Sequence, residues 1–166
     1  MSFEVFVPRE AAGVRALCAD SGLIAALGHF RPVHIAIGGA PGSAAHEVAL
    51  AAKRANARPI LHVSCAASRE DTATYLQRGL DAGICDILAL PRGSGGDSAA
   101  AEFASVCDLV SFVAARFGSR VRIAVCGYPW GTGEADSYEE GLAALAMQVV
   151  PRDCTASSPG RRRICR

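Results

Sequence analysis

The chain has 166 residues, 51% of them hydrophobic and 20% charged, with a formal net charge of +1. That length suits one domain, which buries about 70% of the surface its unfolded form exposes. The balance excludes a wholly disordered chain and gives the body of the domain no charge for a nucleic-acid or membrane partner. No run approaches the ~18 apolar residues of a membrane span, and Met1 opens into a strand rather than a signal peptide. Seven cysteines, at 18, 65, 85, 107, 126, 154 and 165, are odd in number and contain no CxxC pair. They read as reduced thiols of a cytoplasmic protein, mostly small core residues, with no metal site.

In chain order, Ser2 to Val7 (SFEVFV) is a first strand stopped by Pro8. Glu4 is the anomaly in it, because an isolated buried charge costs several kcal/mol and must be paired, hydrogen-bonded or functional. Glu10 to Leu27 has near-helical apolar spacing broken around Ser21-Gly22, which predicts one broken helix or two short ones. Val33 to Ile37 is a second strand. The turn Gly38-Gly39-Ala40-Pro41-Gly42-Ser43 leads from it into a helix over 44–56. The turn lacks the lysine of a P-loop and the GxGxxG pattern, so it is read as a tight strand-to-helix connection at least as readily as a phosphate cradle.

Pro59 to Pro91 reads as strand, helix, strand, and it organises the rest. Ile60 to Ser64 is apolar, Ser68 with Asp71 starts a helix, Gly83 ends it, and Ile84 to Leu90 returns as a strand. Strands joined by a helical crossover are parallel, and both are apolar at successive positions, as strands covered on both faces are. A Gly/Ser-rich loop, a long helix over 99–117 and a fifth strand over 121–126 follow. Ser137 and Glu140 open a last helix, and residues 151–166, with no period and a cluster of arginines, read as a disordered basic tail.

Five β/α units result, in a domain over 1–150. A complete eight-unit barrel needs ~250 residues, so the chain is either an open flavodoxin-type sheet or part of a TIM (β/α) barrel. In either fold the carboxyl ends of the strands carry the chemistry, and Glu4, His62, Arg92 and Tyr128 fall at or near them. Each also has a plain reading: an ion pair for Glu4, a hydrogen-bonded core histidine for His62, turn packing for Tyr128. Cys65 is read as a core thiol, since no activating histidine and carboxylate arrangement can be identified for it.

Several stretches together resemble one family. SFEVFVP at 2–8, the glycine-rich turn at 38–43, LHVSC at 61–65, GLDAGICDILAL at 79–90 and GYPWGTGEADS at 127–137 occur in the order and spacing of methylenetetrahydrofolate reductase. The resemblance runs from Ser2 to about Val149 and implies the first five units of a (β/α)₈ barrel holding FAD at the carboxyl ends of its strands. It implies that Glu4 is the general acid that opens the five-membered ring of the folate substrate, giving an iminium that takes hydride from the reduced flavin, with NAD(P)H as donor. A carboxyl group enclosed in an apolar strand keeps its proton closer to neutrality, in agreement with that role. By the same resemblance His62, Leu90, Arg92, Gly93 and Tyr128 contact the flavin.

The pattern also departs from the family. Pro91 interrupts the Leu-Arg-Gly-Asp segment, and Ser94 stands at its aspartate unless a loop shift brings Asp97 into that place. Trp130 and Thr132 replace the glutamate and histidine of the GYPEGHPEA turn, and an apolar residue, Ala36, ends strand two in place of threonine. Gly141 and Gln148 replace an aspartate and a lysine, and nothing after Val149 matches. The expectation is therefore a truncated, divergent member of the family. It is either a flavin-dependent reductase of one-carbon and methionine metabolism or a catalytically silent fragment acting as a binding module; an unrelated open-sheet ligand-binding protein is the third reading. An unpaired parallel edge would favour self-association, including a homodimer that completes the barrel.

Overall fold

The computed structural model describes residues 3–29, 33–36, 43–92, 102–126 and 163–165, together with Ala143 and Ala146. The elements are β1 (Phe3–Phe6), α1 (Ala11–Ala19), α2 (Ser21–Leu27), β2 (Val33–Ala36), α3 (Ser43–Arg54), β3 (Pro59–Ser64), α4 (Arg69–Asp81), β4 (Asp86–Leu90), α5 (Val106–Phe117), β5 (Arg122–Cys126) and β6 (Arg163–Cys165). All six strands join one sheet in chain order, and every neighbouring pair is parallel. A flavodoxin-type sheet would have an order out of sequence. The five predicted units are therefore an arc of a TIM barrel. The sixth strand lies within the stretch expected to be an unstructured tail; residues 151–162 of that tail lie outside the described residues.

Local chemistry explains where the helices begin and end. Asp20 separates α1 from α2 by accepting a hydrogen bond from the Leu23 amide at 2.9 Å, so the broken helix is two helices. Ser68 caps α4, its hydroxyl accepting from the Asp71 amide at 3.0 Å and donating to the Asp71 carboxylate at 2.8 Å. At the other end Gly83 takes a φ of 70°, a conformation that favours glycine, and Lys53 Nζ donates to the carbonyls of Ala82 and Gly83.

The helix expected over 99–117 begins only at Val106. Ser105 caps it, accepting from the Asp108 amide at 3.2 Å. The residues before it are engaged elsewhere: Glu102 accepts from the Arg69 amide at the start of α4, and the Phe103 ring lies under the Arg69 guanidinium. Arg69 also pairs with Asp108 at 2.9 Å, which joins α4 to α5. The strand read from Ile84 likewise begins two residues later, because the Ile84 amide closes the end of α4 on the Gly79 carbonyl. The last predicted helix falls largely outside the described residues; Ala143 and Ala146 in it are helical.

The two faces of the sheet differ. Val5, Ile35, Leu61, Val63, Ile87, Ala89, Ile123 and Val125 point to the helices and join one buried cluster with residues of α1, α3, α4 and α5, including Val14, Val48, Leu76 and Leu109. The alternate residues form the inner face, where Ile60, Leu88 and Ala124 make a second, smaller cluster flanked by Leu90 and Cys126. Among the described residues helices pack on one face only, with a partly polar opposite face, as a barrel wall requires. Among the described residues no helix is long and apolar enough to cross a membrane.

Candidate functional site

Strand alternation puts Glu4 and Phe6 of β1, His34 of β2, and Ile60, His62 and Ser64 of β3 on the inner face. The register pairs Glu4 with His34 and His34 with Ile60. The side chains nevertheless meet along a diagonal. His34 Nδ1 lies 3.2 Å from His62 Nε2, two residues beyond its register partner, and His62 Nδ1 lies 3.9 Å from Glu4 Oε1. Strand tilt in a barrel produces this stagger. Glu4, His34 and His62 thus form one cluster from three successive strands. The two rings meet edge to face, with centroids 5.4 Å apart.

Their environments are unequal. The His62 side chain is 10% exposed and that of Glu4 47%. Burial, and next to it the neighbouring His34, pushes the His62 imidazole down to about 4. Burial also lowers His34, with Glu4 acting in the opposite direction. Near neutral pH both rings are therefore neutral, and the contact between His62 and Glu4 is not an ion pair. Among the described residues no apolar enclosure surrounds Glu4: the carboxylate stands half open on the inner face, because β1 carries it beside the partly exposed His34 and the open Phe6 ring.

The depressed value at His62 has a measurable consequence. An unfolded histidine takes up a proton below about 6.5, whereas folded His62 does so only near 4. Its contribution to stability is complete above 6.5 and is lost as the pH falls from there towards 4. Thermal or urea unfolding at pH 7 and pH 4.5 should therefore show a stability loss of about 2–3 kcal/mol attributable to this ring. His62→Asn should remove the larger part of that slope, and an unchanged slope in the variant would refute the assignment.

The other expected site residues are spread along the rim. Leu90 is half-buried, lies beside Ser64 in the register and flanks the inner-face cluster. Arg92 follows it, and its guanidinium donates to the Phe103 carbonyl over a long 3.4 Å. Gly93 and Tyr128 lie outside the described residues. Cys65 is buried in the helix-side core, as expected of a packing thiol, and no disulfide joins Cys18, Cys65, Cys85, Cys107 or Cys126. Among the described residues no group of His, Cys, Asp and Glu is arranged to hold a metal; the two histidines bond to each other instead of converging on one point.

Sequence reasoning missed His34. The signal was present, since it is a lone polar residue in the apolar strand Val33 to Ile37, the same anomaly that singled out Glu4. Also missed was Asp86, held by Arg58 and Arg122 at the amino ends of the strands.

A family model described as methylenetetrahydrofolate reductase matches residues 1–150. The matched stretch supplies β1 to β5 and with them every member of the inner-face cluster. The parallel order, the helices on one face and this match agree, and the chain belongs to the methylenetetrahydrofolate reductase family.

Proposed function

We propose that this protein acts as a methylenetetrahydrofolate reductase-like flavoprotein of the cytoplasm, using NAD(P)H to reduce 5,10-methylenetetrahydrofolate to 5-methyltetrahydrofolate. The observation that carries the proposal is the meeting of Glu4 and His62 on the open inner face of the barrel wall. The residues present fit a flavin. Phe6, 74% exposed, and half-buried Leu90 offer apolar surface on the same face as Glu4, His34 and His62. Apolar walls with a few converging polar groups are the usual lining of a cofactor site. Bound FAD would carry hydride from NAD(P)H to the folate.

The chain's own residues have separate tasks in this reading. His62, neutral and largely buried, would line the cofactor by packing contact without adding charge. Arg92 can exchange its long bond to the Phe103 carbonyl for a stronger, charge-assisted bond to a phosphate. Gly93 and Tyr128 would complete the cofactor contacts, and Glu4 would deliver a proton to the folate ring. The openness of Glu4 favours a second reading, a silent family member that binds ligands without turnover, since a carboxyl group in water gains no catalytic advantage from its surroundings.

Flavin titration separates the two. The reductase reading predicts a yellow protein whose colour NAD(P)H bleaches, or an apoprotein that quenches the fluorescence of added FAD. A colourless protein that leaves FAD fluorescence unchanged at high micromolar concentration refutes it. Flavin binding and bleaching without folate reduction would establish the second reading.

A further inference from the structure

We propose that His34 and His62 form a proton relay that ends on Glu4 and restores the proton this carboxyl group gives up. The proposal deepens the reductase reading, because it assumes that Glu4 is the group whose proton is consumed. His34 lies outside every residue that the family resemblance assigns to the flavin or to catalysis.

The geometry sets a direction. With Glu4 Oε1 on the Nδ1 side of His62, the relay requires the His62 proton on Nδ1. Its Nε2 is then an acceptor, and His34 Nδ1, 3.2 Å away, must be the donor. The chain reads His34 Nδ1–H to His62 Nε2, then His62 Nδ1–H towards Glu4. The second nitrogen of His34, Nε2, is left as the entry point, on a side chain that is only partly buried.

The step balances. Glu4 takes the proton from His62 Nδ1 as His62 Nε2 takes that of His34 Nδ1 and His34 Nε2 takes one from water. Each ring gains one proton and loses one, so neither becomes a lasting imidazolium, which burial disfavours at both. Both rings end in the opposite tautomer and reset by reorientation before the next cycle. The 3.9 Å gap to Glu4 is longer than a direct hydrogen bond and closes by a side-chain rotation or through one water.

The other ionisable residues described on this face are Asp86, Arg122 and Cys126, and Cys126 lies on β5, two strands from His62. The register neighbour of His62 on β4 is Leu88. Asp86, further down the same face, has both oxygens occupied by Arg58 and Arg122. Ser64 donates to the Pro91 carbonyl. The helices pack on the opposite face of the sheet.

The test uses the whole protein and His34→Gln, whose amide can donate to His62 Nε2 but cannot pass a proton through. Nitrogen-15 NMR of the histidine side chains should show His62 protonated on Nδ1 in both proteins. Exchange of that proton with water should slow about tenfold or more in His34→Gln. In folate turnover the same variant should lose about tenfold or more in kcat with little change in KM, regain activity with added imidazole buffer, and keep its rate of flavin reduction by NAD(P)H. A purely structural His34 predicts unaltered exchange and no buffer rescue. His62 protonated on Nε2, or unaltered exchange in His34→Gln, overturns the relay. Failure of the reductase reading would appear separately, as absent flavin binding, and leaves both NMR results readable.

Discussion

Asp86→Ala should lower the stability of the folded protein by about 3 kcal/mol. Asp86 sits on the inner face with its side chain 9% exposed and is clamped by two arginines. Arg58 donates through Nε at 2.6 Å and through its terminal nitrogen at 2.9 Å; Arg122 does the same at 2.6 and 2.7 Å. The clamp ties the residue before β3, the first residue of β4 and the first of β5, so it fixes the amino ends of three strands. Burial alone would raise the carboxyl pKa, but the hydrogen bonds from Arg122 and Arg58 outweigh it, and the net shift is downward from 3.8.

The clamp's contribution is therefore complete above pH 3.8 and is lost as the pH falls through the lower folded value. Removing the carboxylate leaves two guanidinium groups facing each other without a counter-charge. Breaking a buried pair on one side costs about 3–5 kcal/mol. Because both arginines are 42% exposed and water can resolvate them, the lower end of that range applies. Urea unfolding should show the midpoint falling with the slope unchanged. A loss below about 1 kcal/mol would mean that the clamp acts only as an exposed surface pair.

Glu4→Gln should reduce folate turnover by about 10² to 10⁴, the usual contribution of a positioned general acid. An amide of the same shape preserves the neighbour that faces His62 but has no proton to give. Flavin binding and its reduction by NAD(P)H should survive, because neither requires the carboxyl group. The described residues leave Glu4 half open, so the water exclusion that makes such an acid effective has to come from the bound cofactor and substrate. The decisive comparison is kcat for the folate step against the rate of flavin reduction in the same variant. A parallel fall in both would place Glu4 in cofactor binding, and no change in either would remove it from the reaction.

How much of this was legible in the chain varies element by element. The five strands stand where short apolar runs placed them, since burial on both faces of a parallel sheet requires such runs. Ser68 and Gly83 mark helix ends through local backbone chemistry, which a sequence carries directly, as does Gly118 after α5 with a φ of 55°. The start of α5 was misread because alanines at 99–101 and 104 have high helix propensity. Glu102 and Phe103 are instead committed to Arg69, a partner more than thirty positions away in the chain.

For the site, the order of residues alone shows that polar residues interrupt apolar strands, at Glu4 and His62 and equally at His34. It also carried the family resemblance over Ser2 to Val149. Which of these residues meet is set by the folded sheet. Strand tilt sets Glu4 and His34 against His62 rather than against their register partners, and the described helices pack on the other face, with Glu4 half exposed. Arg58, Asp86 and Arg122 come together for the same reason. Register and tilt are properties of neighbouring strands joined across long crossovers, and no local pattern of residues encodes them.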